Sequence, residues 1–144
     1  RLEECLLSTG FPFRPEDDFN KYLSLMGDVM QRTAGLRRPG AAALDLAYVA
    51  AGFSDGFFEL GLKPWDMAAG SLLITEAGGL VSNFTGEGPY LEHQECLAAP
   101  PRIYAQLVPI TTKYSKFAGT DDKRAASTAA KTLSLSRQTP DAPL

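Results

Sequence analysis

The sequence predicts an α/β fold, a layered domain with a mainly parallel sheet flanked by helices. Three observations point there. Short apolar runs alternate with longer segments whose apolar residues recur at helical spacing. Glycine and proline stand at the changes of segment, as at Thr9-Gly10, Pro39-Gly40 and Gly78-Gly79. A chain of 144 residues that is 44% hydrophobic has material for one core.

The elements follow in order. Leu6 to Phe13 reads as a short strand leaving through Thr9-Gly10 and a Pro12 turn. Arg14-Pro15-Glu16-Asp17-Asp18 then opens a helix, with proline and acids where a helix start favours them. Phe19, Tyr22, Leu23, Met26, Val29 and Met30 share one face of it, and Gly35 closes it. Leu36-Arg37-Arg38 is a brief strand before Pro39-Gly40. Ala41 to Ala51 is apolar nearly all round apart from Asp45, the pattern of a helix covered on most sides. Phe57 to Leu60 is a strand, and a helix from Pro64 to Glu76 stops at Gly78-Gly79. Leu80 to Phe84 is another strand, Thr85 to Pro89 a polar loop, and Glu95 to Ala99 a last strand. Arg102 to about Lys116 is a terminal helix that Pro109 is expected to interrupt. These elements place one domain at residues 1–117. Residues 118–144 turn to Ala, Ser, Thr, Lys and Arg, a composition expected to stay disordered.

The totals exclude several classes. A formal charge of −3 gives no electrostatic reason to expect a nucleic-acid partner. Cys5 and Cys96 have neither disulfide-framework nor metal-ligand spacing, which fits a reducing, cytoplasmic setting. The single histidine, His93, cannot build a multi-histidine site. No run approaches the ~18 apolar residues of a membrane span, so no membrane association is expected.

Chemistry concentrates around Asp66. It lies in the opening turn of an otherwise apolar helix, just after Pro64, where an unpartnered charge out of water is costly. Backbone amides of the helix start could satisfy it. The alternative is that it serves as one oxygen ligand of Mg²⁺, which is held by one or two carboxylates plus water and phosphate.

Trp65-Asp-Met-Ala-Ala-Gly-Ser-Leu-Leu-Ile-Thr-Glu-Ala-Gly-Gly79 resembles the carboxy-terminal signature of the inositol monophosphatase family. Three further blocks agree in order and spacing. They are Leu6-Leu-Ser-Thr-Gly-Phe-Pro-Phe-Arg14, Gly40-Ala-Ala-Ala-Leu-Asp-Leu-Ala-Tyr-Val-Ala-Ala-Gly52, and Asp55-Gly-Phe-Phe-Glu-Leu-Gly-Leu-Lys-Pro-Trp-Asp66. The resemblance runs from about residue 5 to about residue 108 and is closest to bacterial members. It implies the smaller C-terminal domain of that fold, and a Mg²⁺-dependent, lithium-sensitive phosphomonoesterase acting on a small phosphorylated polyol. By the same resemblance Asp66 ligates a metal and Glu59 faces the sugar hydroxyls. The turn Gly40-Ala41-Ala42 lines the substrate pocket, where Ala41 replaces the Ser or Thr common in the family. Trp65 is expected to be a core anchor for the Asp66 turn. Lys63 is expected to be solvated, and Arg37 and Arg38 to be structural or exposed, paired with Asp45 or an oligomer partner.

The family's Asp-x-x-Asp-Gly-Thr loop, source of most metal ligands and of the water-activating threonine, has no match here; Asp55-Gly56 is followed by Phe57. Asp17-Asp18 and Asp121-Asp122 read as solvated charge. No catalytic residue is therefore assigned. The chain is expected to be the carboxy-terminal part of a two-domain enzyme, lacking the N-terminal metal-binding domain and inactive alone. An intact protein would be expected to form a homodimer, as family members commonly do. Sister families acting on fructose bisphosphate, histidinol phosphate or phosphoadenosine phosphate share the second motif. A non-catalytic interaction module is the alternative from another class.

Overall fold

Leu6–Thr9 (β1) sits at the centre of the sheet's parallel half. It pairs in parallel with Gly35–Arg37 (β2) on one side and Gly56–Leu60 (β3) on the other. Glu95–Ala99 (β5) pairs antiparallel with β3 and with Leu80–Ser82 (β4), giving the order β2-β1-β3-β5-β4 in this computed structural model. Residues 1–11 and 14–119 are described.

β3 and β4 both oppose β5 and so run the same way. The helix Pro64–Glu76 (α3) joins them as a crossover, with β5 filling the slot between. Only β5 is reversed, yet its central place makes both of its pairings antiparallel, so the sheet is mixed in pairing. The cause lies in the connection through residues 83–94, which folds straight back from β4 to β5 as a hairpin does.

Helices cover both faces. Adjacent residues of β3 point oppositely: Phe58 packs with Leu7, Leu97 and residues of the helices Phe19–Met30 (α1) and Pro101–Thr111 (α5). Phe57 packs on the other face with Cys96, Ala98, Met67 and Ile74, and with Leu46 and Val49 of Ala42–Ala51 (α2). Tyr90–His93 (α4) is a single turn, unmarked in the sequence reading, that leads into β5.

Several boundaries differ from expectation. The acids at 17 and 18 do not form the first turn of α1. Asp17 Oδ2 accepts the Arg14 N–H to make a separate turn, and Asp18 caps the helix by accepting the Lys21 N–H at 2.9 Å. The helix ends at Met30, and Gly35 begins β2 instead of closing α1. Phe19, Leu23 and Met30 of the expected apolar face are exposed, while Leu25 is fully buried. β1 ends at Thr9, and residues 12–13 of the expected strand lie outside the described residues. α5 begins one residue earlier than expected, with Pro101 in its first turn, and continues past Pro109 to Thr111 before a 3₁₀ turn at Thr112–Tyr114. Most of the expected tail, residues 120–144, also lies outside the described residues.

Candidate functional site

Four separate chain segments reach one cleft, of about 300 Å³, and three of them carry the residues singled out in the sequence. The first is the turn before α2. Gly40, at φ +96, reverses the chain there, and Ala41 caps α2 without a side-chain bond. The opening amides of α2 therefore lack the side-chain acceptor that usually satisfies one of them. The second is the carboxyl end of β3, carrying Glu59. The third is the start of α3, where Pro64 occupies the first helical position and Asp66 the third. Gly40, Ala41, Ala42, Glu59 and Asp66, distant in sequence, all line the cleft.

Asp66 is half-buried, and its Oδ2 accepts the Lys63 N–H at 2.9 Å. The helix-start partnership is thus present, and it engages one of the two carboxylate oxygens. Among the described residues no group of three or more His, Cys, Asp or Glu could hold a metal ion. Mg²⁺ prefers six oxygens, so the described residues fit one ligand of a shared site and not a complete one.

Burial pushes the Glu59 carboxyl up to about 7; the charges of Asp45 and Asp66 add to this and Arg38 opposes it. Asp45, on the first turn of α2, is 1% exposed, and neither of its oxygens has a hydrogen-bond partner among the described residues. Burial raises its carboxyl to about 6, against the pull of Arg38. Arg38 lines the cleft and lies over the Phe11 ring, 5.1 Å from its centroid. Arg37 is exposed and donates to the Leu36 carbonyl. Lys63, expected to be solvated, is half-buried.

Sequence reasoning missed Gly10, Arg14, Asp17 and Arg38 as lining residues. Arg38 had one available signal, its place two residues before the Gly40 turn. Trp65 corrects an expectation outright. It is 77% exposed, so the Asp66 turn is not fixed by a buried indole. Pro64, the Lys63–Asp66 bond and the buried Leu62 and Met67 on either side hold that turn instead.

The model of the inositol monophosphatase family matches residues 1–116, and the chain belongs to that family. Its members are generally Mg²⁺-dependent, and the family suggests phosphatase activity. The putative Nus factor SuhB of Neisseria meningitidis serogroup B is 48% identical over 113 residues, covering 78% of this chain and 43% of that protein. The Nus factor SuhB of Pseudomonas aeruginosa is 52% identical over 109 residues, covering 74% and 40%. Among solved structures, the extragenic suppressor protein suhB of Bartonella henselae superposes with a TM-score of 0.73 at 43% identity, covering 77% of this chain and 42% of that one. The inositol monophosphatase of Anabaena gives 0.71 at 38% identity, covering 78% and 46%. The chain thus spans less than half the length of the relatives it matches. Among the described residues no helix is long and apolar enough to cross a membrane.

Proposed function

We propose that this chain is the carboxy-terminal domain of a phosphomonoesterase for inositol monophosphate or a related small polyol phosphate, working in the cytoplasm. One observation carries the reading: Glu59, the Gly40-Ala41-Ala42 turn and Asp66 meet at a single cleft. A half-buried carboxylate at 59 can accept hydrogen bonds from two ring hydroxyls. The α2 amides can hold a hydroxyl or phosphate oxygen. Asp66 offers one oxygen to Mg²⁺, with the remaining protein ligands outside this polypeptide. When bound, the metal would supply positive charge against the phosphate and the developing alkoxide. Arg38 and the buried Asp45 set the field in which Glu59 works.

On this reading the 144 residues alone release negligible phosphate from inositol monophosphate with Mg²⁺. Joined to the preceding segment of a full-length relative, they regain turnover. In that joined protein Glu59→Gln should raise KM about tenfold, the scale of one lost charge-assisted bond. Turnover by the chain alone, or a joined protein indifferent to Glu59→Gln, would overturn the proposal. Fructose bisphosphate and histidinol phosphate belong in the same assay as rival substrates.

A second reading, a non-catalytic interaction module, draws on Phe53 and Trp65, which are 76% and 77% exposed, and on the name Nus factor borne by the curated relatives. That name describes no phosphatase, and net charge is the sole ground for expecting no nucleic-acid partner. An Asp66→Asn variant that loses hydrolysis while leaving the cellular role intact would favour this second reading.

A further inference from the structure

The block from Leu6 to Arg14 supplies a strand and, in Gly10 and Arg14, part of the cleft lining. Its strand ends at Thr9, whose hydroxyl donates to the Phe58 carbonyl at 2.7 Å and bonds the Tyr22 hydroxyl at 2.5 Å. Thr9 is also the register partner of Phe58. The next residue, Gly10, is thereby fixed beside Glu59. A Cβ added at Gly10 would lie 2.0 Å from Glu59 Oε1, 2.2 Å from Cδ and 2.5 Å from Oε2. The carboxylate occupies the space that any other side chain would claim. Gly10 is not among the glycines with positive φ, so an alanine there meets no backbone strain. What position 10 requires is room.

Neither backbone can retreat. Glu59 pairs with Cys96 in the antiparallel ladder, and Cys96 is fully buried. Only the far end of the Glu59 side chain is free to give way, and both residues line the cleft. We propose that Gly10 is a positioning residue whose absent side chain forms the seat of the Glu59 carboxylate, holding it where it accepts the hydroxyls of a cyclic polyol. This rests on the reading of Glu59 given above. Any side chain at position 10 drives the carboxylate into the cleft, displacing the hydroxyls while leaving the fold intact.

The test compares Gly10→Ala, Glu59→Asp and the double variant in the 144-residue chain. Three quantities are followed: the Glu59 side-chain carboxyl resonance, the thermal melt, and shifts on titration with myo-inositol. Gly10→Ala should displace the Glu59 resonance without ligand, keep the melt, and weaken inositol about tenfold. The double variant, with its carboxylate drawn back by one methylene, should bind as Glu59→Asp alone does. A merely structural glycine would show no such rescue. A Glu59 resonance unmoved by Gly10→Ala, or a double variant as weak as both losses combined, would overturn the proposal. Should Gly10→Ala fail to fold, folding restored by the added Glu59→Asp upholds the seat, and its failure rejects it. If inositol leaves the wild-type Glu59 resonance unmoved, the polyol role falls, while a ligand-free displacement still upholds the seat.

Discussion

Asp45 and Glu59 make the chain's stability depend on pH. Their folded values, about 6 and about 7, lie above the ordinary 3.8 and 4.5. Between these limits the folded chain keeps protons that the unfolded chain has released. The sign follows: stability from this source is full below about pH 4 and is lost as pH rises through 6 and then 7. Asp45→Asn should therefore melt as the wild type does near pH 4, and about 3–6 °C higher at pH 8. Melting curves across that range check it, and a gap that does not widen with pH would contradict the burial argument. The sequence marked Asp45 as the one acid of an apolar helix and as a candidate partner of Arg37 or Arg38; its burial depends on tertiary packing around α2, which no local pattern encodes. The place of Glu59 and Asp66 at one cleft was legible through motif resemblance. Trp65 was misread because an exposed and a buried tryptophan look alike in a sequence.

Two contacts between elements invite equally direct tests. A Cβ at Gly70 of α3 would lie 2.5 Å from Leu46 Cβ of α2 and 2.6 Å from its Cδ1. Gly70→Ala gains about 1 kcal/mol of helix propensity but overpacks this seam, for a net loss of about 1–2 kcal/mol in urea unfolding. The second contact is Glu95, at the start of β5. It is buried, yet its carboxylate accepts the Phe84 N–H, the Ser115 hydroxyl and the Lys116 N–H. Unlike Asp45 it is fully partnered, and it ties the end of the described chain to the sheet. Glu95→Ala should cost about 2–4 kcal/mol and speed hydrogen exchange at the Lys116 amide before the core. The ends of α3 were readable because Pro64 and Gly78 signal them chemically. The start of α1 was not, since two adjacent aspartates divide turn and cap between them in a way only the fold decides.

Across the whole molecule, large apolar side chains remain uncovered, among them Phe53, Trp65 and Leu72. Trp65 is the only tryptophan, so its fluorescence reports one face cleanly. In the isolated chain it should emit as hydrated indole and be strongly quenched by iodide; protection would show that another surface covers it. The layered α/β plan was legible because strand and helix alternate with clear punctuation. The reversal of β5 was not, because strand direction resides in connections and not in residues. That reversal brings the entrance of β5 beside the exit of β3. There the Gln94 carbonyl, on a residue at φ +58, receives the N–H of Gly61 at 2.8 Å and that of Leu62 at 3.3 Å. Gly61 and Leu62 border the cleft just past Glu59. The rim of the recognition hollow is therefore latched to a corner more than thirty positions downstream, so whatever disturbs that corner is felt where a guest molecule would be gripped.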